Sequence, residues 1–393
     1  MFKNLEPFNN RREINFINKI ILKLILHLIF ILFFFIFKIF KVRILNSSTE
    51  AIGHQILDLT YLSNKKINYK IILPIHKKFI GNIQFFNFFQ KSNNFLTINN
   101  YFLCMILFYL KKYKSICYDV LHVSTKDNSI IYKLFEKIKK PLFKNEIELE
   151  GRKILKKKKI ILNKKFVCLH IRNSYLKKYD NEEFRNAKYA NYIKCINWLI
   201  KKKYTIIILG ANKSNNYNFK SKAVINLPKL NFSNHDKEIL DIFFSARCEF
   251  FIATMSGLQY LPAFFHRPVL ITNAVPINHG YPIVSNGLFI PKLCKKDSKI
   301  LNLKEIIESN AYYSRSGKYF KKLKLQFIYN TPDEILNAVK YLIRINKNKK
   351  FGDRTKLQKD FRKKLEKLKF KYSVYSKGTI CNEFLKKHKK LFF

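Results

Sequence analysis

The chain has 393 residues, with 76 Lys and Arg against 26 Asp and Glu and a formal net charge of +50. Hydrophobic residues make up 48% of the chain and aromatic residues 16%, which excludes a wholly disordered protein. This length suggests two domains with accessory segments. The positive charge indicates anionic partners, namely nucleic acid, anionic lipid or phosphate-bearing substrates.

A bias in composition explains the charge equally well. Lys outnumbers Arg throughout, Ile, Asn and Phe are frequent, and there are only 10 Gly and 10 Pro. AT-rich coding produces such a pattern, and the charge is spread along the chain rather than gathered in a patch. It still favours contact with anionic lipid and anionic ligands.

The seven cysteines are an odd number and include no CxxC pair. Their spacing fits neither a disulfide framework nor a zinc site. We therefore expect a reducing, cytoplasmic setting and no bound metal.

An apolar segment at residues 20–40 is long enough to cross a bilayer, which needs about 20 residues. Residues 28–37 contain no polar side chain, and basic residues lie on both sides of the segment. We expect residues 1–45 to attach the chain to the cytoplasmic membrane, with the catalytic part facing the cytoplasm. A transmembrane helix and a helix embedded in one leaflet are both compatible with this pattern, and a buried soluble helix is the alternative.

A first α/β region follows at residues 46–155. A capping sequence places Gly53 and His54 in the first turn of a helix. Short apolar strands alternate with helical spacing, as an open parallel sheet requires. The predicted strands and the next helix lie at 70–74, 95–98 and 101–109.

A second α/β region, residues 156–345, has the clearer pattern. Strands are predicted at 166–171, 205–209, 250–253 and 269–271. Helices are predicted at 189–201, 239–246, 258–265 and after Thr331. This alternation predicts a doubly wound domain, whose ligand lies beyond the carboxyl ends of the strands. Residues 346–393 are predicted to form a basic helical tail.

Polar residues follow two of these strands. His170 and Arg172 close the first strand, and an arginine there presents a bidentate guanidinium suited to a diphosphate. Thr254, Ser256 and Gly257 lead from another strand into a helix, so hydroxyl and backbone N–H groups converge in a candidate anion site. A surface arginine and an ordinary capping turn are the competing interpretations.

Two further residues are weaker candidates for the same site. Gly210 ends a strand and would allow the chain to approach a ligand closely. Asp241 precedes the Thr254 segment, where it could hold Arg172, a hydroxyl or a sugar, or act as a capping or surface acid. The sequence lacks GxxxxGK[ST], GxSxG and a clustered DxD, so it gives no support to kinase, hydrolase or metal-bridged transferase chemistry.

Together these motifs resemble a family of bacterial glycosyltransferases found in surface-polysaccharide gene sets. That family is distantly similar to the fucosyltransferases with a His-x-Arg motif. The resemblance covers most of the chain after residue 45, and its most distinctive part is Phe-Phe-Ile-Ala-Thr-Met-Ser-Gly-Leu at 250–258. The other matching segments include Ala51–His54, His170–Arg172, Arg185–Ala187, Arg267–Val269 and Asn330–Ile335.

The resemblance implies two facing Rossmann-like domains of the GT-B type, with a nucleotide-sugar donor held mainly by the second. Arg172 would contact the donor diphosphate, and Ser256 with Gly257 would hold phosphate, while Arg185 would also lie on the donor side. Gly53 and His54 would face the cleft from the first domain.

One departure from the family concerns the catalytic base. The family usually has an acidic residue shortly after His-x-Arg, where this sequence has Asn173. Asp180 and His54 remain as candidates for the base.

The function expected from the sequence is transfer of a sugar from a nucleotide-sugar donor to a glycan or lipid-linked acceptor in surface polysaccharide synthesis. It needs no cofactor beyond the donor and no nucleic-acid partner. Two alternatives come from other classes. One is a non-catalytic, membrane-attached assembly protein, because a fold does not determine a function. The other is a basic nucleic-acid-binding protein, although no groove-reading or RNA-stacking motif is present.

Overall fold

The structure is a computed structural model. It describes residues 16–89, 95–120, 132, 135, 141–162, 165–173, 182–210, 219, 221–348, 351–368 and 376–393. The candidate base Asp180 lies outside these residues.

The first domain is a four-stranded parallel sheet with strand order β3-β2-β1-β4. Its strands are β1 (Val42–Asn46), β2 (Lys70–Pro74), β3 (Phe95–Ile98) and β4 (Cys117–Asp119). Its helices are α1 (Phe16–Ile39), α2 (Ile52–Ser63), α3 (Ile83–Phe86) and α4 (Tyr101–Leu110). The central strands are apolar because both faces of the sheet are covered.

Helix α1 packs along the outer face of this sheet. Phe37 is buried there with Ile44 and Ile72, and Phe30 stacks on Tyr113 with ring centroids 3.8 Å apart. In the part of the chain that the structure describes, no helix is long and apolar enough to cross a membrane. The predicted transmembrane helix is therefore not supported.

The second domain contains a seven-stranded sheet, all of whose paired strands are parallel, in the order β14-β10-β9-β8-β5-β6-β7. Strands β11 to β13 form a separate antiparallel sheet. In chain order the strands are β5 (Phe166–His170), β6 (Thr205–Ile208), β7 (Val224–Asn226), β8 (Phe251–Thr254), β9 (Val269–Ala274), β10 (Leu288–Pro291), β11 (Leu293–Lys296), β12 (Lys299–Ile300), β13 (Leu325–Ile328) and β14 (Thr379–Ile380).

Helices cover both domains and form the C-terminal segment. They are α5 (Asn145–Lys157), α6 (Ile193–Lys201), α7 (Asn234–Arg247), α8 (Tyr260–Phe264), α9 (Leu303–Glu308), α10 (Gly317–Lys322), α11 (Pro332–Lys347), α12 (Lys356–Glu366), α13 (Asn382–Lys387) and α14 (Lys389–Phe392). A single-turn 3₁₀ helix, Gly257–Gln259, leads into α8.

The predicted α/β class with parallel sheets is confirmed. The predicted strands at 70–74 and 95–98 coincide with β2 and β3. Eight of the fourteen strands in the described residues were not predicted from the sequence: β1, β4, β7 and β10 to β14. The sequence of β1 continues the apolar segment, so it was assigned to the anchor. The C-terminal segment contributes β14 to the second sheet besides its predicted helices, because Thr379 and Ile380 pair with β10.

The two domains are joined by an interface beside α3. The Glu238 carboxylate on α7 accepts hydrogen bonds from the backbone N–H groups of Ile83 and Gln84, at 2.9 and 3.3 Å. Phe85 packs edge-on against Phe264 of α8, with centroids 4.9 Å apart. The first turn of α3 is thus capped by a side chain of the other domain, which fixes the two domains to each other.

The C-terminal segment is held to α11 by one buried carboxylate. Glu334 forms a capping box with Thr331, and its Oε1 also accepts hydrogen bonds from Lys387 Nζ and His388 Nε2, at 2.6 and 2.7 Å. Burial acts to raise the pKa of Glu334, but the hydrogen bonds from His388, Lys387 and the Thr331 backbone lower it to about 2. The carboxylate therefore stays charged in the folded protein well below its ordinary titration range.

This arrangement predicts a pH-dependent contribution of Glu334 to stability. The folded pKa lies below the unfolded value, so the contribution is present above about pH 4.3 and is lost as the pH falls towards 2. Glu334→Gln should lower the free energy of unfolding by roughly 3 kcal/mol at neutral pH, and the deficit should shrink in acid. Urea unfolding between pH 3 and 7 measures it. Glu308→Gln, at an exposed ion pair on α9, is the control. A deficit that does not change with pH contradicts the prediction.

Candidate functional site

A cavity of about 450 Å³ lies between the two domains. On one side it is lined by the first turn of α2, which contributes Gly53 and His54. On the other side it is lined by Arg172 after β5, Ser256 after β8 and Val275 after β9. The cavity therefore lies beyond the carboxyl ends of the strands of the second sheet, the usual ligand position in open α/β sheets.

A contact between two glycines sets the width of the cavity at its edge. A Cβ atom added to Gly53 would lie 2.6 Å from the Gly257 Cα atom, and one added to Gly257 would lie 2.7 Å from the Gly53 nitrogen. Side chains cannot be accommodated at these distances, so the backbones of the two domains meet only because both residues are glycine.

Two arginines in the cavity share one carboxylate. Arg172 Nη2 and Arg185 Nη1 both donate to Glu182 Oε2, at 2.7 and 2.8 Å. Arg185 also donates from Nε and Nη2 to the carbonyl oxygen of Met255, at 3.1 and 2.9 Å. Burial, followed by the charge of Arg172, lowers the pKa of Arg185 to about 10, so the group remains cationic at neutral pH.

The backbone that carries Arg172 is fixed by its neighbours. The N–H of Arg172 donates to Thr254 Oγ1 at 2.8 Å, which ties the end of β5 to the end of β8. The carbonyl of Arg172 accepts from the N–H of Ala187 at 2.9 Å. The guanidinium thus extends from a rigid strand end rather than from a free loop.

The cavity lining has an excess of positive charge. Arg172, Arg185 and Arg315 contribute three guanidinium groups, against the single carboxylate of Glu182. His279 also lines the cavity, and burial, followed by the charges of Arg315 and Arg185, lowers its pKa to about 3. His279 is therefore neutral at physiological pH, and the lining of described residues is suited to an anion with more than one negative charge.

Ser256 and Gln259 place polar atoms at the wall of the cavity. Ser256 is 7% exposed and Gln259 is 6% exposed. Among the described residues, Ser256 Oγ and Gln259 Oε1 have no hydrogen-bond partner. A buried polar atom without a partner costs about 1–3 kcal/mol, so both atoms are available to hydrogen-bond a ligand or water in the cavity.

The structure brings six of the candidate residues from the sequence together. Those that line the cavity are Gly53, His54, Arg172, Arg185, Ser256 and Gly257. Those that are not among its lining residues are His170, Gly210, Asp241 and Thr254.

Local contacts explain why some of these residues lie outside the cavity. The Nδ1 atom of His170 donates to the carbonyl oxygen of Leu209, at 3.1 Å. Gly210 has a φ of +114°, and a Cβ atom there would lie 2.6 Å from the His170 ring. The His170 ring and Gly210 therefore pack against each other where β5 and β6 end. Asp241 lies in α7, three residues after Glu238, where burial raises its pKa to about 7.

The sequence did not identify Glu182, Gln259, His279 and Arg315, which line the cavity, or Lys292, which supports the segment that carries Arg185. None belongs to a recognisable motif, and His279, Arg315 and Lys292 come from segments distant in the chain from Arg172 and Arg185. The presence of Glu182 near Arg185, three residues apart, was the only local signal. No group of three or more His, Cys, Asp or Glu side chains that could hold a metal ion occurs among the residues the structure describes.

Lys292 supports the segment that carries Arg185. It is 3% exposed, and its Nζ donates to the carbonyl oxygens of Phe184 and Asn186, at 2.8 and 2.6 Å. These two residues are the chain neighbours of Arg185. Burial lowers the pKa of Lys292 to about 7. Lys292 Nζ thus contacts the two carbonyl groups that flank Arg185 and lies 4.1 Å from the centroid of the Tyr329 ring.

No family model matches the chain, and no curated protein matches it significantly. Among solved structures, the chain is similar to ADP-heptose lipopolysaccharide heptosyltransferase II from E. coli, with a TM-score of 0.47 and 10% identity over 78% of this chain and 99% of that one. A UDP co-structure of MnaA from S. aureus has a TM-score of 0.23 and 13% identity, over 75% of this chain and 80% of that one.

The contacts of Lys292 predict an effect on anion binding as well as on stability. Lys292→Met removes the donor to two carbonyl groups and should destabilise the protein by roughly 1.5–3 kcal/mol. Because the Arg185 turn loses its support, affinity for inorganic pyrophosphate should also fall, by about tenfold, as measured by calorimetry. Lys296→Met, on the exposed end of β11, is the matched control. A stability loss with unchanged pyrophosphate affinity would restrict Lys292 to a role in the fold.

Proposed function

We propose that the protein is a glycosyltransferase of the GT-B type. It moves a sugar from a nucleotide-sugar donor to a glycan or lipid-linked acceptor in surface polysaccharide synthesis. The observation that carries this proposal is the cavity between two parallel-sheet domains, in which three arginines face the first turn of α2. An anionic donor would bind to the second domain, and the acceptor would approach from the first.

The charges of the cavity support a diphosphate as the anionic part of the donor. The lining carries two more guanidinium groups than carboxylates, and the diphosphate of a nucleotide-sugar is a dianion. The planar guanidinium of Arg172 offers paired N–H donors that match phosphate oxygens. The Ser256 hydroxyl can donate to the same group.

The reaction breaks the bond between the anomeric carbon and the diphosphate. Positive charge develops on the sugar and negative charge on the leaving diphosphate. Arg172 and Arg185 are held in place before the reaction by Glu182, so they stabilise the leaving group without reorganising. Enclosure between the domains excludes water, which would otherwise hydrolyse the donor.

The acceptor hydroxyl must lose a proton during transfer. His54 is the candidate base because it lines the cavity from the first domain, opposite Arg172. His279 is a weaker base, since its pKa is lowered to about 3 by burial and by the charges of Arg315 and Arg185. The Oε2 atom of Glu182 is already engaged by two guanidinium groups.

A donor screen with the purified full-length protein tests the proposed function. Nucleotide release from UDP-, GDP-, ADP- and CMP-sugars should occur for one donor class and increase when acceptor glycans are added. A protein that binds a nucleotide-sugar but releases no nucleotide with any acceptor would instead fit the non-catalytic assembly protein.

Arg172→Ala should weaken binding of the nucleotide-sugar by roughly 1.5–3 kcal/mol, the usual contribution of a hydrogen bond to a charged group. Arg172→Lys should restore little of this loss, because an ammonium cannot reproduce the fork of donors. Calorimetric titration with the donor measures both variants. Arg152→Ala, an exposed arginine on α5, controls for the loss of one positive charge. Equal affinity in the wild type and both Arg172 variants would remove Arg172 from the donor site.

His54→Gln should lower turnover about a hundredfold or more and leave donor affinity nearly unchanged, because only the proton transfer is lost. His235→Gln, at an exposed position on α7, is the matched control. Steady-state turnover, donor affinity and thermal unfolding are measured on both variants. If His54 only shapes the cavity, turnover and affinity should shift modestly together. Normal turnover in His54→Gln would exclude it as the base and make Asp180 the next residue to test.

A further inference from the structure

Helix α1 presents two apolar faces that have different surroundings. Phe30, Phe33, Phe34 and Phe37 point towards the first domain, where they pack in the cluster that contains Ile44. The side chains between them point away from the domain. A helix that is apolar on all sides is normally covered on all sides, either by protein or by lipid.

The outward side of α1 is uncovered. Its large apolar side chains are spaced at helical intervals, and each is 47–72% exposed: Leu24, Ile25, Leu28, Leu32, Phe35 and Ile39. Helix α4 contributes Leu107 and Leu110 to the same core cluster as α1, and it exposes Phe102 to 70% and Leu103 to 44%. We name these eight exposed residues the outer apolar face. A surface of this kind marks an interaction site rather than ordinary exposed protein.

The charges around the outer apolar face have one sign. Residues 14–49 contain no Asp or Glu, and neither do residues 59–118. Lys38 follows the apolar residues on α1, and Lys112 lies beyond α4 with its Nζ 3.5 Å from the centroid of the Tyr109 ring. Lysines and tyrosines at the edge of an apolar face are the arrangement that suits the headgroup region of a bilayer.

The side of α1 that packs on the first domain restricts how the helix can bind a membrane. The C-terminal half of the helix is attached to the domain, from the Phe30–Tyr113 stack to buried Phe37. To cross a bilayer it would have to leave the sheet and expose Ile44 and Ile72. A helix held in this way can offer only its outward side to lipid.

We propose that the outer apolar face lies in the surface layer of an anionic lipid bilayer, with α1 parallel to the membrane plane and Lys38 and Lys112 at the level of the lipid phosphates. The partner is the lipid surface itself. Positive charge around the face attracts anionic headgroups, and the apolar side chains bury in the layer below them. This inference is independent of glycosyl transfer.

Vesicle binding by the full-length protein tests the proposal. The vesicles contain equal parts of phosphatidylcholine and phosphatidylglycerol, or phosphatidylcholine alone. Leu28→Glu/Leu32→Glu should reduce partitioning into the anionic vesicles at least tenfold. Leu142→Glu/Ile161→Glu, at two exposed apolar positions outside the face, should leave it unchanged. The wild type should bind phosphatidylcholine vesicles more weakly, and Lys38→Glu/Lys112→Glu should remove this preference. Thermal unfolding confirms that each variant is folded.

The depth of single tryptophans distinguishes an in-plane helix from a spanning one. In a Trp198→Phe background, tryptophan replaces Leu24, Leu32 or Ile39 in turn, and quenching by brominated lipids reports its depth. The proposal requires the same shallow depth at all three positions. A steady change of depth along the helix, or unchanged vesicle binding by Leu28→Glu/Leu32→Glu, overturns it. If that variant instead converts a wild-type dimer to a monomer in light scattering without altering vesicle binding, a second copy covers the face.

Discussion

The backbone contact between Gly53 and Gly257 is the constraint on which the cavity depends. The first turn of α2 meets the turn after β8 at a distance that no side chain would allow. Because of this approach, His54 and Ser256 line one cavity although they belong to different domains. The Glu238 cap on α3 and the aromatic contact between Phe85 and Phe264 hold the same pair of domains together away from the cavity. The position of the site is therefore a property of the domain interface.

The electrostatics of the cavity follow from the burial of arginines near one another. Buried cations destabilise a protein unless they are paired, and Glu182 compensates only part of the charge of Arg172 and Arg185. Burial, followed by the charges of Arg315 and Arg185, also keeps His279 neutral by lowering its pKa. An anionic ligand would relieve this repulsion, so the same arrangement that weakens the unliganded protein favours the binding of an anion. The supporting contacts of Thr254 and Lys292 fix the arginines before any ligand arrives.

The positively charged side chains lie in two different settings in the folded chain. Composition alone spreads lysine everywhere, and no patch can be identified from it. In the folded chain, the arginines of the cavity face inward between the domains, whereas Lys38 and Lys112 accompany exposed apolar residues on the far side of the first sheet. Arginine is the side chain used for bidentate contacts, and lysine is the one found beside the apolar face. One basic composition thus provides both a ligand cavity and a surface suited to anionic lipid.

The sequence by itself determined the α/β class, strands β2 and β3, and the placement of Arg172, Ser256 and Gly257 at strand ends. These features depend on apolar periodicity and on residues close in the chain, which local spacing encodes. Only the tertiary structure brought His279 and Arg315 to the cavity and Lys292 to the segment that carries Arg185, because contacts between distant segments have no local signature. It also decided that β14 joins the second sheet and which side of α1 packs on the domain. Residues 28–37 of α1 are all apolar, so periodicity cannot distinguish the two faces of this part of the helix, and their difference arises only when one of them meets the sheet.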